Sequence, residues 1–307
     1  MENLKLMVSP APHVRKGSGL NKIMIDFIIA LIPAVIAGVY FYKMDSVKIL
    51  LTTIISSLIA EGIWNKFVKK TTFITDLSPI VQGIILGLIM PTYVPIWIPI
   101  VGSIFSIIVV KQFFGGFGQN FMNPAAATKA FLIASWAGVM AKPVSDATSA
   151  ASGAEVVSSA SGAAVEATVS LFERILGQAT GSIGETSIFA LCLGGLYLIL
   201  RGRINFRGPI AFILSAMLIN SYFDKELLLS GAYFLVAIYM TTDYGTTPMT
   251  KIGQYIFGVI AGVMASIIVI IGYNTEGPYY GIILANLFAP LLDYFCTKKI
   301  KREKEAL

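Results

Sequence analysis

The stretch Leu77-Ser78-Pro79-Ile80-Val81-Gln82-Gly83-Ile84-Ile85-Leu86-Gly87-Leu88-Ile89-Met90-Pro91-Thr92 is apolar almost throughout and then stops at a proline. A helix needs about 20 apolar residues to cross a bilayer, so this one is short, and Pro91 disfavours helix at the residue before it. The pattern returns once: Leu227–Met240 runs into Met240-Thr241-Thr242-Asp243. The first is followed by Asn123-Pro124, the second by Asn286 and Pro290. In transporters, paired broken helices put unwound backbone near the bilayer midplane. Irregular backbone survives there only if buried or lining a cavity. The pair predicts a duplicated helical membrane protein. Two ordinary spans kinked by Pro and Gly would read the same way, and that alternative stays open.

Composition agrees. Of 307 residues, 56% are hydrophobic and 13% charged, against about 25% charged in soluble domains. This excludes a disordered chain and an ordinary soluble enzyme. Ten apolar segments can be drawn: Met24–Tyr42, Ile49–Trp64, Leu77–Met90, Tyr93–Val110, Ala125–Met140, Thr186–Leu200, Pro209–Tyr222, Leu227–Met240, Tyr255–Tyr273 and Gly277–Phe295. The expected class is an all-α polytopic membrane protein of about ten transmembrane segments in two halves. An even number places both termini on one side. Arg15 and Lys16, then Lys66, Lys69 and Lys70, then Arg201, Arg203 and Arg207, and the run Lys298–Lys304 all fall on that side. The positive-inside rule makes it cytoplasmic. The net charge of +6 is thereby accounted for without nucleic acid.

The expected division is a cytoplasmic segment at 1–21, a first half at 22–141, an extracytoplasmic loop at 142–180, a second half at 181–297 and a basic cytoplasmic tail at 298–307. The first apolar run is as long as a span and no small-x-small site follows it, so it reads as a retained helix and not a signal peptide. One histidine, His13, and two cysteines, Cys192 and Cys296, cannot by themselves assemble a zinc or iron–sulfur site.

Three constellations carry possible chemistry. In Lys111-Gln112-Phe113-Phe114-Gly115-Gly116-Phe117-Gly118-Gln119-Asn120-Phe121-Met122-Asn123-Pro124, the glycines allow close backbone approach and Asn123-Pro124 suits a helix start. Free amides at such a start can hold an anion, although a ligand-free membrane loop has the same text. In Gly181-Ser182-Ile183-Gly184-Glu185-Thr186-Ser187, Glu185 complements a helix dipole, and capping is the plainer reading. Val144-Ser145-Asp146-Ala147-Thr148 lies in a Ser/Ala/Gly-rich stretch without Lys or Arg. Thr148 has no base beside it to act as a nucleophile, but it can be an acceptor modified by another enzyme. Among acids near the membrane, Glu61 sits late in the second segment, while Asp76, Asp243 and Asp293 sit at segment edges. Intramembrane acids are functional candidates, and solvated caps are the alternative at the edges.

Taken together these runs resemble the RnfD/NqrB family, which supplies membrane components of the Rnf and Na+-pumping NADH:quinone oxidoreductase complexes. Lys111–Leu132 is similar to that family's Gly-rich stretch and its Asn-Pro-Ala helix start. Ser9-Pro10-Ala11-Pro12-His13, Asp76–Met90, Gly181–Ser187, Met240–Pro248 and Glu276–Asp293 resemble further family blocks in order, and the RnfD branch is the better match. The resemblance implies a fold similar to ammonium and urea channels. It also implies FMN joined by a phosphoester to a threonine, here Thr148 in Ser145-Asp146-Ala147-Thr148. The chain departs from the family text: Asp146 stands where the family has glycine, and Ser149-Ala150 where it has Pro-Leu. Ser149–Ser152, Ser158–Ser161 and Glu166–Thr168 are near matches in the same loop. The resemblance further implies that Gly115, Gly116, Gly118, Asn120, Asn123, Gly181 and Glu185 lie against the flavin, with room for a second, noncovalent riboflavin that it does not place.

The implied activity is a share in electron transfer from reduced ferredoxin to NAD+, coupled to Na+ or H+ export, without activity of the isolated chain. Asp76 and Asp243 would flank the ion route. The implied partners are the lipid bilayer and the other Rnf components, especially FMN-bearing RnfG and the membrane proteins RnfA and RnfE. A small-solute channel or transporter without a redox cofactor is the rival reading, and a purely structural scaffold the third.

Overall fold

The computed structural model describes residues 19–70, 72–73, 76–140, 182–223, 230–272 and 276–305, and all the regular structure among them is helical. The first helix, α1 (Leu20–Trp64), shows why. An unbroken helix of that length would reach about 68 Å at 1.5 Å per residue, twice the roughly 30 Å hydrocarbon core. Lys43, at φ 51° and ψ −129°, breaks it, and each arm is long enough for one pass. Along the first arm Met24, Phe27, Leu31 and Ala34 are buried, while Ile25, Ile29, Ile32 and Ile36 are exposed. Apolar residues thus cover both faces. Water would not tolerate so continuous an exposed apolar stripe; lipid does. Leu20–Lys69, Lys251–Gly272 and Gly277–Thr297 are each long and apolar enough to cross a membrane. The chain is a membrane protein.

The remaining elements are α2 (Ser78–Leu88), α3 (Trp97–Ile104), α4 (Pro124–Ser135), α5 (Ala137–Met140), α6 (Ile188–Leu200), α7 (Arg207–Phe223), α8 (Gly231–Leu235), α9 (Lys251–Gly272) and α10 (Gly277–Glu305). Three wide π-helical stretches interrupt or extend them, at Asn65–Lys69, Phe105–Gln112 and Val236–Met240. Both predicted breaks are present. α2 ends in a turn at Ile89 and Met90, and α8 with its π extension ends in a turn at Thr241. Both terminal segments are buried, as irregular backbone in a membrane must be. The last helix runs beyond the expected span end at Phe295 into the Lys/Glu-rich tail, whose residues are strong helix formers.

α1 packs against α2, α6 and α3, and α9 packs against α10 and α7. Small residues let these backbones approach. At Gly194 on α6, an added Cβ would stand 2.0 Å from the Ala30 carbonyl oxygen and 2.1 Å from the Tyr239 hydroxyl. That hydroxyl donates to the Ala30 carbonyl at 3.0 Å. Gly194→Ala must therefore separate α6 from α1 and break the bond. Overpacking of this kind costs about 1–3 kcal/mol, and the expected result is a lower melting temperature of the purified chain.

Two hydrogen bonds fix where the segment 141–181 leaves and returns. Tyr93 Oη donates to the Met140 carbonyl at 2.7 Å, and the Ile183 amide donates to the Met90 carbonyl at 3.1 Å. Both ends of that segment are thus fastened to the one turn that follows α2.

Candidate functional site: buried charges at the helix breaks

The chain after the second break builds the first cluster. Asn123 caps α4: its Oδ1 accepts from the Ala125 and Ala126 amides, each at 3.1 Å, and Pro124 takes the first helical position, where its missing N–H costs nothing. The other end of the same side chain, Nδ2, donates to Asp243 Oδ2 at 3.4 Å. Asp243 also accepts from Thr246 Oγ1 at 3.3 Å and the Gly245 amide at 3.5 Å. These bonds are long, and Asp243 makes no ion pair among the described residues. A cavity of about 50 Å³ opens beside it, lined among others by Lys111, Phe117, Asn120, Tyr239 and Tyr244. The Asn120 Oδ1 is buried and without a hydrogen-bond partner among the described residues. The glycine-rich run shapes this wall. Gly115, Gly116 and Gly118 have φ of 116°, 107° and 87°, a region that side chains with a Cβ avoid.

Behind the cavity lies a buried ion pair. Lys111 Nζ is 2.5 Å from Glu61 Oε2 and donates to Ser78 Oγ at 2.6 Å. Ser78 Oγ donates in turn to Asp76, which also accepts from the Ser78 amide at 2.8 Å. Asp76 thus accepts from the first amide of α2 and ends a chain of polar groups reaching Glu61. Asp293 is not at a segment edge: it lies inside α10 and accepts from the Met249 and Thr250 amides at 3.0 and 3.4 Å ahead of α9, so it ties two helices together instead of capping its own.

The first break carries a second cluster. Lys129, on α4 and fully buried, lies 2.6 Å from Glu276 Oε2 and 3.5 Å from Glu185 Oε1, and donates to Ser182 Oγ at 2.9 Å. Glu185 closes a capping box by accepting from the Ser182 amide at 3.1 Å, and accepts from Tyr279 Oη at 2.5 Å. Its expected capping role is therefore present, and a charge partner is added to it.

A third grouping fastens the chain's other end. Asp26 on α1 accepts from Arg201 at 3.1 Å and Arg203 at 2.6 Å, and the Tyr244 hydroxyl donates to the Arg203 carbonyl.

The structure thus brings Asn123 to Asp243, with Asn120 lining the same cavity and Gly118 beside Gly245, while Gly115 lies against Gln119 and Gly116 beside Lys69 and Gln112, and it puts Glu185 in a separate cluster with Lys129. Asp76 belongs to the Glu61–Lys111 network. Ser145, Asp146, Thr148 and Gly181, and likewise His13, lie outside the described residues. Sequence reasoning missed Lys129, Tyr279 and Asp26. The available signal was a charged residue within an apolar run, which marks Lys129 and Asp26 as readily as it marks Glu61.

The cavity beside Asp243 has room for a water or a small cation.

The sequence profile described as the NQR2, RnfD, RnfE family matches residues 7–302. The chain is 37% identical, over 100% of its length and 99% of the relative's, to the D component of the Na(+)-translocating ferredoxin:NAD(+) oxidoreductase complex of Acetobacterium woodii. It is 33% identical, over 96% and 95%, to the D component of the proton-translocating ferredoxin:NAD(+) oxidoreductase complex of Clostridium ljungdahlii. It is 30% identical, over 84% of each chain, to the D component of the ion-translocating oxidoreductase complex of Rhodobacter capsulatus.

Proposed function

The chain belongs to the NQR2, RnfD, RnfE family, and from that premise we propose that it is the RnfD-type membrane component of an ion-translocating ferredoxin:NAD+ oxidoreductase. The observation that carries this reading is end-to-end similarity to the D components of such complexes. In the proposed arrangement ten passes form two related halves, as in ammonium and urea channels. Both termini and the Arg201–Arg207 turn face the cytoplasm of a cell-membrane complex, and residues 142–180 face outward. RnfG, RnfA and RnfE are the proposed neighbours.

FMN is proposed on Thr148, with Ser145 and Asp146 as flanking recognition text. When bound, it supplies the redox chemistry. The chain's own part is to hold that segment at one place. The fastening of Met140 and Ile183 to the turn at 90–93 supports this, because it brings the two ends of the segment to one place. Gly115, Gly116, Gly118, Asn120 and Asn123 are proposed to lie against the FMN or its phosphate; Phe117, Asn120 and Asn123 also line the Asp243 cavity.

The proposed ion route starts at that cavity. A buried carboxylate without an ion-pair partner among the described residues, an unpartnered carboxamide oxygen and space for one small occupant fit passage of Na+ or H+. Asp76 connects through Ser78 and Lys111 to Glu61 at the cavity's back wall. Asp243→Asn keeps the size and most hydrogen bonds of the side chain but removes its charge. In membrane vesicles of the whole complex the expected result is a loss of at least tenfold in ion transport per ferredoxin oxidised, with the chain still assembled. Unchanged coupling would remove Asp243 from the route. A solute channel needs no outward Ser/Ala segment, and would show solute flux in liposomes of the isolated chain; the present reading expects none.

A further inference from the structure

Lys111 is the one ammonium, and Asp243 the one carboxylate, among the residues that line the cavity. They form no ion pair with each other. Lys111 Nζ turns instead to Glu61 Oε2 at 2.5 Å and to Ser78 Oγ at 2.6 Å. Glu61, from α1, stands behind the cavity and is not part of its lining. Lys111 acts electrostatically on both acids. Asp76 and Lys69 also act on Glu61, with opposite signs. One buried ammonium thus lies between two carboxylates that come from distant parts of the chain.

Each position of that ammonium leaves one acid without it. A buried charge persists when it is paired, so the acid that Lys111 leaves calls for another cation. On the Asp243 side the means are present: a cavity of about 50 Å³, a carboxylate, and the buried Asn120 Oδ1 without a hydrogen-bond partner among the described residues. Hard cations take such oxygens as ligands. Lysine is a compact charge on a flexible four-carbon stem, so Nζ can change partner while the π-helical stretch that carries it stays in place. An ammonium and a second cation on one carboxylate repel each other, so they exclude one another at Asp243.

We propose that Lys111 is an internal counter-ion that exchanges between Glu61 and Asp243: paired with Glu61 it leaves Asp243 open to a monovalent cation, and swung to Asp243 it shuts that cation out. Glu61 is then a positioning residue, which governs cation binding at a cavity it does not line by holding Lys111 away. The inference rests on the Asp243 route proposed above and adds the group that loads and unloads it.

The test is binding of radioactive Na+ to the full-length chain in lipid nanodiscs, with choline keeping the ionic strength constant. The wild type is expected to bind Na+ and Asp243→Asn to lose that binding. Glu61→Gln should lower the affinity by about tenfold or more, within the usual range for coupling between two sites, because Asp243 becomes the carboxylate left for Lys111. Adding Lys111→Met to Glu61→Gln should restore wild-type affinity or better, which a merely structural role for Glu61 would not do, since a second buried group is then lost. Glu61→Asp, which keeps the charge and shortens its reach, should fall between, and it decides the matter if Glu61→Gln does not fold. Unchanged affinity in the Glu61 variants, or a loss that Lys111→Met does not restore, would overturn the exchange and leave the Asp243 route standing. Na+ binding that is equal in the wild type and Asp243→Asn, or absent from every form, would overturn the route and the exchange together.

Discussion

Thr148→Ala is expected to abolish the flavin fluorescence that stays with the wild-type chain through denaturing electrophoresis. The effect is all or none, because a phosphoester needs a hydroxyl oxygen and alanine offers none. Co-expression with the flavin transferase supplies the attachment step that Thr148 cannot perform, having no neighbouring base to activate it. Mass spectrometry of the peptide spanning 143–174 gives the complementary reading: one FMN on Thr148 in the wild type and an unmodified peptide in the variant. An FMN retained in the variant would move the site to another hydroxyl, with Ser149, Ser152, Ser158, Ser161 and Thr168 as the candidates. A wild-type chain without bound flavin would remove the redox part of the proposed function while leaving the family assignment intact.

Lys111→Met carries the second large effect. Lys111 and Glu61 are both almost entirely buried, with side chains 4% and 5% accessible. Their attraction offsets the cost of removing two charges from water only while both are present. Removing one partner of a buried pair costs about 3–5 kcal/mol, because the other charge is left uncompensated. Ser78 Oγ would also lose a donor at 2.6 Å. The expected result is a marked fall in denaturant midpoint for the purified chain. The double variant Lys111→Met with Glu61→Gln should recover most of the loss. A double-mutant cycle then isolates the pair's coupling, and strictly additive losses would show that the two groups act independently.

Much of the architecture was readable one segment at a time. The ten apolar runs correspond to the helical stretches, with the first two joined in α1 and bent at Lys43. Asn123-Pro124 was legible as a cap because capping is local chemistry, confined to three residues. Asp76 was legible beside a helix start for the same reason, whereas the Asp293 bonds reach 44 and 43 residues back in the chain and were not. The charge clusters were not legible, since their partners are 50 residues apart for Glu61 and Lys111 and 175 for Asp26 and Arg201. Such separations leave no periodic trace. The π-helical stretches were also invisible. Phe105–Gln112 reads as continuous apolar helix, yet its wider turns carry Lys111 and Gln112, both buried. The proposed flavin-bearing segment is the reverse case, since its candidate acceptor came only from family resemblance.

The double fastening at the turn after α2 has an evolutionary consequence. Met140 and Ile183 meet at one anchorage, so a change of length between them does not of itself separate the two helices that flank it, and the family blocks on either side can persist beside text that varies, as Asp146 and Ser149-Ala150 do here.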